Sequence, residues 1–88
     1  MSVTVTYAGQ AREAAGTASE RSSARDVASL VRDVAARHPA LQPLLLRADG
    51  SPHPSLLIVV GDDQVRVDDP RPLRDGETVT VMTPISGG

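Results

Sequence analysis

Hydrophobic and polar residues alternate in two segments of the chain, and a period of two is typical of a strand that buries one face. The first segment is residues 3–8 and the last is residues 78–82. Their apolar positions are Val3, Val5, Tyr7, Val79 and Val81. We therefore predict a strand in each segment. A weaker strand is expected near residues 17–22, where the side chains are small and polar, after a turn or helical loop over residues 10–15.

After Ser23 the apolar residues recur with a period of 3.6, which is typical of a helix with one buried face. Its apolar stripe is Val27, Leu30, Val31 and Val34. We predict that Ser23 caps this helix and that Asp26, three residues on, replaces the usual Glu of a capping box. Pro39 should end the helix, because the residue before a proline disfavours the α conformation. The leucines of residues 41–46 are predicted to form a short helical turn over the core.

The second half of the chain alternates between apolar runs and turn residues. Residues 56–60 form a continuous apolar run of strand length. Residues 61–64 are typical of a turn, so residues 65–67 are expected to pair back as a short strand. Residues 68–72 contain two prolines, which lack the backbone donor of a central strand. Asp75-Gly76 marks one more turn.

The predicted order is strand, strand, helix, strand, short strand, strand. One helix covers only one face of such a sheet, so we predict an α+β roll, a mixed sheet with one main helix on one face. This arrangement is the β-grasp fold of ubiquitin. We assign residues 1–83 to the domain and residues 84–88 to a flexible C-terminal tail.

The composition disfavours several classes of partner. A net charge of −2 predicts no strong attraction to nucleic acid or to an anionic membrane. Tyr7 is the only aromatic residue available for stacking on bases. No apolar run has the length of a membrane span, and the first residues lack the pattern of a secretory signal. We therefore expect a cytoplasmic protein that is monomeric when free.

Cysteine and lysine are both absent from the chain. Without cysteine there is no disulfide, no thiolate metal site and no cysteine nucleophile. All nine basic residues are arginine, so Schiff-base chemistry on a side-chain amine is excluded. Chains of this protein linked through its own lysines are excluded for the same reason.

Other candidate sites have simpler interpretations. The two histidines, His38 and His53, lack the spacing of a zinc site, and we expect His38 to contact the last carbonyls of the helix. The acidic pairs at residues 62–63 and 68–69 lie in predicted turns and lack the spacing of a calcium loop. No glycine-rich phosphate loop precedes the helix. We therefore predict no metal and no bound cofactor, with ATP bound by a partner instead.

The chain ends in Pro84, Ile85, Ser86, Gly87 and Gly88. The four residues after Pro84 reach about 13 Å from it when extended. Glycine has no Cβ, so the end can pass through a narrow channel in a partner. The terminal carboxyl has an ordinary pKa of about 3.5 and is an anion at neutral pH. It resists nucleophiles until it is activated, for which adenylation by ATP is suited.

Four segments together resemble the MoaD/ThiS family of sulfur carriers. They are the Tyr-Ala to Arg-Glu segment in residues 7–16, the helix start at 23–27, the Pro-Leu-Arg-Asp-Gly turn in 72–79 and the Thr-Pro-Ile-Ser-Gly-Gly end at 83–88. The chain departs from the family at residues 60–62, where Val-Gly-Asp replaces Val-Asn-Gly.

The resemblance implies a carrier or cosubstrate, not an enzyme. An E1-like adenylating enzyme, similar to MoeB or ThiF, would adenylate Gly88, and a sulfurtransferase would supply sulfur for a thiocarboxylate. The tail would then enter an acceptor synthase subunit. The Ser-Gly-Gly end and the segment through Arg12 favour the small subunit of molybdopterin synthase. Thiazole, cysteine and secondary-metabolite pathways remain alternatives.

Two other functions remain open. One is a protein modifier joined through Gly88 to lysines of other proteins, and the other is a binding module with an idle tail. For Tyr7 and Arg12 the sequence allows a contact with a partner. It also allows a core position for Tyr7 and a solvated charge for Arg12.

Overall fold

Five strands form one mixed sheet in the computed structural model, which describes residues 2–83. The strands are β1 (Val3–Ala8), β2 (Ser19–Ser22), β3 (Leu57–Val60), β4 (Asp63–Val65) and β5 (Thr78–Met82). Their order across the sheet is β2-β1-β5-β3-β4. The pair β1 and β5 is parallel, and the other neighbours are antiparallel. The last strand in sequence therefore lies in the middle of the sheet.

Helices accompany the sheet in three places. They are α1 (Gln10–Ala15), α2 (Val27–Arg37) and α3 (Gln42–Leu45), the last preceded by a 3₁₀ turn at Pro39–Leu41. The main helix, α2, packs on the sheet, as expected for an α+β roll. The predicted β-grasp fold is confirmed, with α1 and α3 as short additions.

The core lies between α2 and the inner face of the sheet. The predicted helix stripe and the inward positions of β1 and β5 are all buried. These residues are Val3, Val5, Tyr7, Val27, Leu30, Val31, Val34, Val79 and Val81. Leu41 and Leu45 close one end of the core from the predicted helical turn. Each such side chain stabilises the fold by about 1.5–3 kcal/mol relative to an exposed position.

The predicted cap of α2 is wrong by three residues. Asp26, not Ser23, is the N-cap, with the extended backbone (φ −147°, ψ 173°) of that position. Its carboxylate accepts a 2.8 Å hydrogen bond from the Ser29 amide. The backbone before it is held away from the helix, because the Arg25 carbonyl accepts a 2.7 Å bond from the Leu73 amide. This tertiary contact fixes where the helix begins.

The β3–β4 hairpin is tighter than the sequence predicted. Val60 pairs with Asp63, so only Gly61 and Asp62 form the turn and β4 ends at Val65. Gly61 has a φ of +61°, as the first central residue of a type II′ turn requires. The family's Val-Asn-Gly is thus replaced by another two-residue turn, and the strand predicted at residues 65–67 is wrong in its bounds.

Candidate functional site

The strand β5 leads directly to the predicted reactive tail. Pro84, Ile85, Ser86, Gly87 and Gly88 lie outside the described residues, so the structure describes only the sheet that precedes them. Met82, the last residue of β5, pairs with Ala8 on one side and with Leu57 on the other. A strand bonded to a neighbour on both sides has a well-defined end. The last described strand before the tail is therefore held on both sides in the middle of the sheet.

Ala8, Met82 and Leu57, which we call the exit row, form an apolar row at this end of the sheet. The residues one position away in each strand are Tyr7, Val81 and Ile58, and these are buried against α2. Side chains alternate across a strand, so the exit row lies on the opposite, outer face. Leu57 is 38% exposed and is the one large hydrophobic residue exposed in the range 2–83.

The helix α1 packs beside the same end of the sheet. Gly9 follows β1 directly with a φ of +62°, and α1 then contacts both β1 and β5. Arg12 lies on this helix with an exposed side chain. No carboxylate of residues 2–83 lies within ion-pair distance of it. Arg12 therefore lies on a helix that contacts β5, and it is available to bind an anionic group.

Tyr7, in contrast, belongs to the core. It is 3% exposed, and its hydroxyl donates a 2.5 Å hydrogen bond to Glu20 Oε2. His38 Nε2 lies 2.5 Å from the same oxygen, and Arg37 donates to Glu20 Oε1 at 3.0 Å. His38 is the C-cap of α2, as expected, and its backbone amide donates a 3.1 Å hydrogen bond to the Val34 carbonyl, whereas its ring contacts Glu20. Of the two possibilities for Tyr7, the structure supports the core position.

This cluster shifts two pKa values in opposite directions. Burial and the hydrogen bond to Glu20 raise the pKa of the Tyr7 hydroxyl. Burial also acts to raise the pKa of Glu20, but hydrogen bonds from Tyr7, His38 and Arg37 outweigh it, so the pKa lies below its ordinary value. Glu20 is therefore a carboxylate at neutral pH. The cluster joins β1, β2 and the end of α2 and has a structural role.

The residues from 2 to 83 contain no group of three or more acidic, histidine or cysteine side chains that is arranged to hold a metal ion. Within the same range, no helix has the length and apolar character needed to cross a membrane.

The exit row and the role of Glu20 were not predicted from the sequence. The apolar run at residues 56–60 gave no alternation, so it did not show that Leu57 points away from the core. Glu20 lies in the strand with the weakest pattern, and its partners come from distant parts of the chain. The exit row can be recognised only when the parallel pairing of β1 with β5 is known, and the sequence does not show that pairing.

Comparison with solved structures shows the same fold in several proteins. The chain is similar to SAMP1 from Haloferax volcanii, with a TM-score of 0.85 and 19% identity over 100% of both chains. It is similar to a putative molybdopterin converting factor, subunit 1, from Pyrococcus furiosus, with a TM-score of 0.72 and 25% identity, covering 97% of this chain and 99% of that one. It is also similar to a chain of the BexX/CysO complex from Amycolatopsis orientalis, with a TM-score of 0.75 and 24% identity, covering 98% of this chain and 99% of that one.

Comparison with curated protein sequences gave no match. A family model described as the ThiS family, however, matches residues 5–88. The match runs from the first strand through the Gly-Gly end, so it includes the sheet, the exit row and the tail. It also confirms the resemblance that the sequence motifs indicated. The chain belongs to the ThiS family.

Proposed function

We propose that this protein is a sulfur carrier whose reactive group is the C-terminal carboxylate of Gly88. An E1-like enzyme adenylates that carboxylate, and the product is converted to a thiocarboxylate that donates sulfur in a biosynthetic pathway. The observation that carries the proposal is the family match through residue 88, on a chain whose central strand leads directly into the Gly-Gly end.

Conversion of the carboxylate to a thiocarboxylate begins with adenylation and continues with attack by sulfur. The carboxylate of Gly88 attacks the α-phosphorus of ATP on the partner, giving an acyl adenylate and pyrophosphate. A persulfide or sulfide delivered by a sulfurtransferase then attacks the acyl carbon, and AMP leaves. With a persulfide donor, a thiol reductant completes release of the thiocarboxylate. The carrier has no cysteine, so it cannot consume its own adenylate through a thiol.

The surfaces next to the tail suit this role. The exit row offers an apolar contact on the outer face of the sheet, and Arg12 offers a charge on α1. An enzyme that binds Gly88 in its active site must also cover this end of the sheet. Gly87, Ser86, Ile85 and Pro84 would then occupy the channel that leads to the reacting atoms. Tyr7 supports this end from within the core.

Molybdopterin synthesis is the pathway we favour, with this chain as the small subunit that inserts its tail into a larger catalytic one. Support comes from the 25% identity to the molybdopterin converting factor subunit of Pyrococcus furiosus. Sulfur donation to cysteine, thiazole or secondary-metabolite synthesis uses the same terminus with a different acceptor.

The direct test is mass spectrometry of the intact protein after incubation with ATP, an adenylating enzyme and a sulfur source. We expect a gain equal to the exchange of one oxygen for one sulfur at Gly88. A variant with one alanine added after Gly88 serves as the control, because it keeps the fold and moves the carboxylate. An equal gain in that variant, or no gain in either protein, contradicts the proposal.

The same terminus allows a second function, attachment to lysines of other proteins. That function predicts covalent adducts on denaturing gels of cell extract that depend on Gly88. Since the chain has no lysine, such adducts would carry single copies and no lysine-linked chains. Sulfur transfer without adducts supports the carrier function alone.

A further inference from the structure

A depression of about 350 Å³ lies on the helix side of the sheet, away from the exit row. Three segments meet there: α2, the loop between α3 and β3, and the loop that follows β4. Each segment contributes one arginine, namely Arg32, Arg47 and Arg66. The surface between them is apolar and is formed by Ala28, Pro52, Pro54 and Val67. We call this site the arginine depression.

The charge of this site opposes that of the whole protein. The arginine depression holds three arginines and one acidic residue, Asp68, whereas the chain as a whole has a net charge of −2. Asp68 is paired with Arg66 at 3.1 Å. Arg32 and Arg47 are exposed, and no carboxylate of the described residues lies within ion-pair distance of either. Two positive charges without an ion-pair partner thus lie beside the apolar surface, although Asp26 and Asp49 are near enough to feel their field.

We propose that the arginine depression binds an acidic segment of a partner protein. Guanidinium groups bind carboxylates through paired hydrogen bonds, and the proline and valine surface can contact the methylene groups of glutamate side chains. The volume of the site exceeds that of one small anion and suits two or three side chains. The inference does not depend on the sulfur chemistry of Gly88.

A protein segment fits this site better than the other anions do. The guanidinium groups are exposed to water, which competes for them. A free phosphate ion would therefore gain little binding free energy at this site. Nucleic acid would be repelled by the negative charge of the rest of the surface. A peptide gains from several weak ion pairs and from apolar contact at once. It also leaves the far side of the sheet and the tail open to a second protein.

The test titrates the full chain with a capped peptide of five glutamates and monitors binding by ¹⁵N–¹H NMR. We expect saturable shifts of amides in the arginine depression, and a dissociation constant that rises with added salt. A capped peptide of five glutamines should cause no such shifts. Inorganic phosphate should bind more weakly than the glutamate peptide.

Paired charge variants make the test specific. In Arg32→Gln/Arg47→Gln the dissociation constant should rise about two- to fivefold for each arginine, as expected for exposed ion pairs. The matched control is Arg21→Gln/Arg74→Gln, which removes two exposed arginines outside the site. The proposal is overturned if both double variants weaken binding equally. It is also overturned if the two peptides bind alike, or if phosphate binds as tightly as the glutamate peptide.

Discussion

The Tyr7 hydroxyl donates a 2.5 Å hydrogen bond to Glu20 Oε2, linking the inner faces of β1 and β2. Because the Tyr7 ring is buried, Tyr7→Phe removes this bond and keeps the packing. We expect the free energy of unfolding to fall by about 1.5 kcal/mol, the value for a hydrogen bond to a charged group. Urea unfolding should show a lower midpoint with an unchanged slope. An unchanged midpoint would mean that the bond does not stabilise the fold.

Glu20 also predicts how stability depends on pH. Its pKa is lower in the folded protein than its ordinary value of 4.5, so the unfolded chain binds the proton more tightly. The stabilisation is therefore complete above the unfolded pKa and is lost as the pH falls through the folded pKa. We expect the Tm to fall between about pH 5 and pH 3, and to fall less steeply in Glu20→Gln. Parallel curves for the two proteins would contradict this assignment.

The position of the α2 cap can be tested with three variants. Asp26→Ala removes the acceptor for the Ser29 amide and should cost about 1 kcal/mol of stability. Asp26→Ser keeps an acceptor and should recover most of that loss. Ser23→Ala should change stability by less than about 0.5 kcal/mol, as for an exposed site without a cap. A larger loss from Ser23→Ala than from Asp26→Ala would favour the cap predicted from sequence.

Gly16 ends α1 with a left-handed backbone, φ 71° and ψ 11°. A Cβ at this position would meet no atom within 4 Å, so any cost of a substitution comes from the backbone alone. We expect Gly16→Ala to lose about 1–2 kcal/mol. Gly16→Asn should lose less, because asparagine tolerates this conformation. Thermal unfolding of both variants measures the difference, and equal losses would contradict the backbone explanation.

Leu57 allows the exit row to be tested separately from the fold. Its side chain is partly exposed on the outer face, so Leu57→Ser should change stability by less than about 1 kcal/mol. We expect kcat/KM for adenylation of the carrier to fall about fivefold, equivalent to ~1 kcal/mol of lost contact. Gln64→Ser, on the edge strand of the same face, is the matched control and should leave kcat/KM unchanged. Equal values for Leu57→Ser and wild type would exclude the exit row from the contact.

The fold was largely predictable because its main elements have strong local patterns. The alternation in β1 and β5 and the stripe on α2 each reflect burial against a single core. One error occurred where a distant residue decides the local structure. The Leu73 amide, from the other half of the chain, fixes the backbone before Asp26. The hairpin error is different, because the pairing of Val60 with Asp63 across Gly61 and Asp62 is a local contact. The first contact has no signal in the local sequence, whereas Gly61-Asp62 is a local signal for a two-residue turn.

The candidate site was predictable only in part. The Gly-Gly end is visible in the sequence and needs no fold to be recognised. The exit row depends on the parallel pairing of β1 with β5, which brings together strands from opposite ends of the chain. The arginine depression likewise combines three segments, and none of its arginines stands out in its own segment.

The central place of β5 has a mechanical consequence. Under the proposed function, an enzyme that drew the tail into its channel would apply force along β5, and the hydrogen-bond ladders to β1 and β3 would share that force. Hydrogen bonds loaded together in shear resist rupture better than bonds peeled one at a time. The proposed carrier would therefore stay folded while a partner pulled on its end.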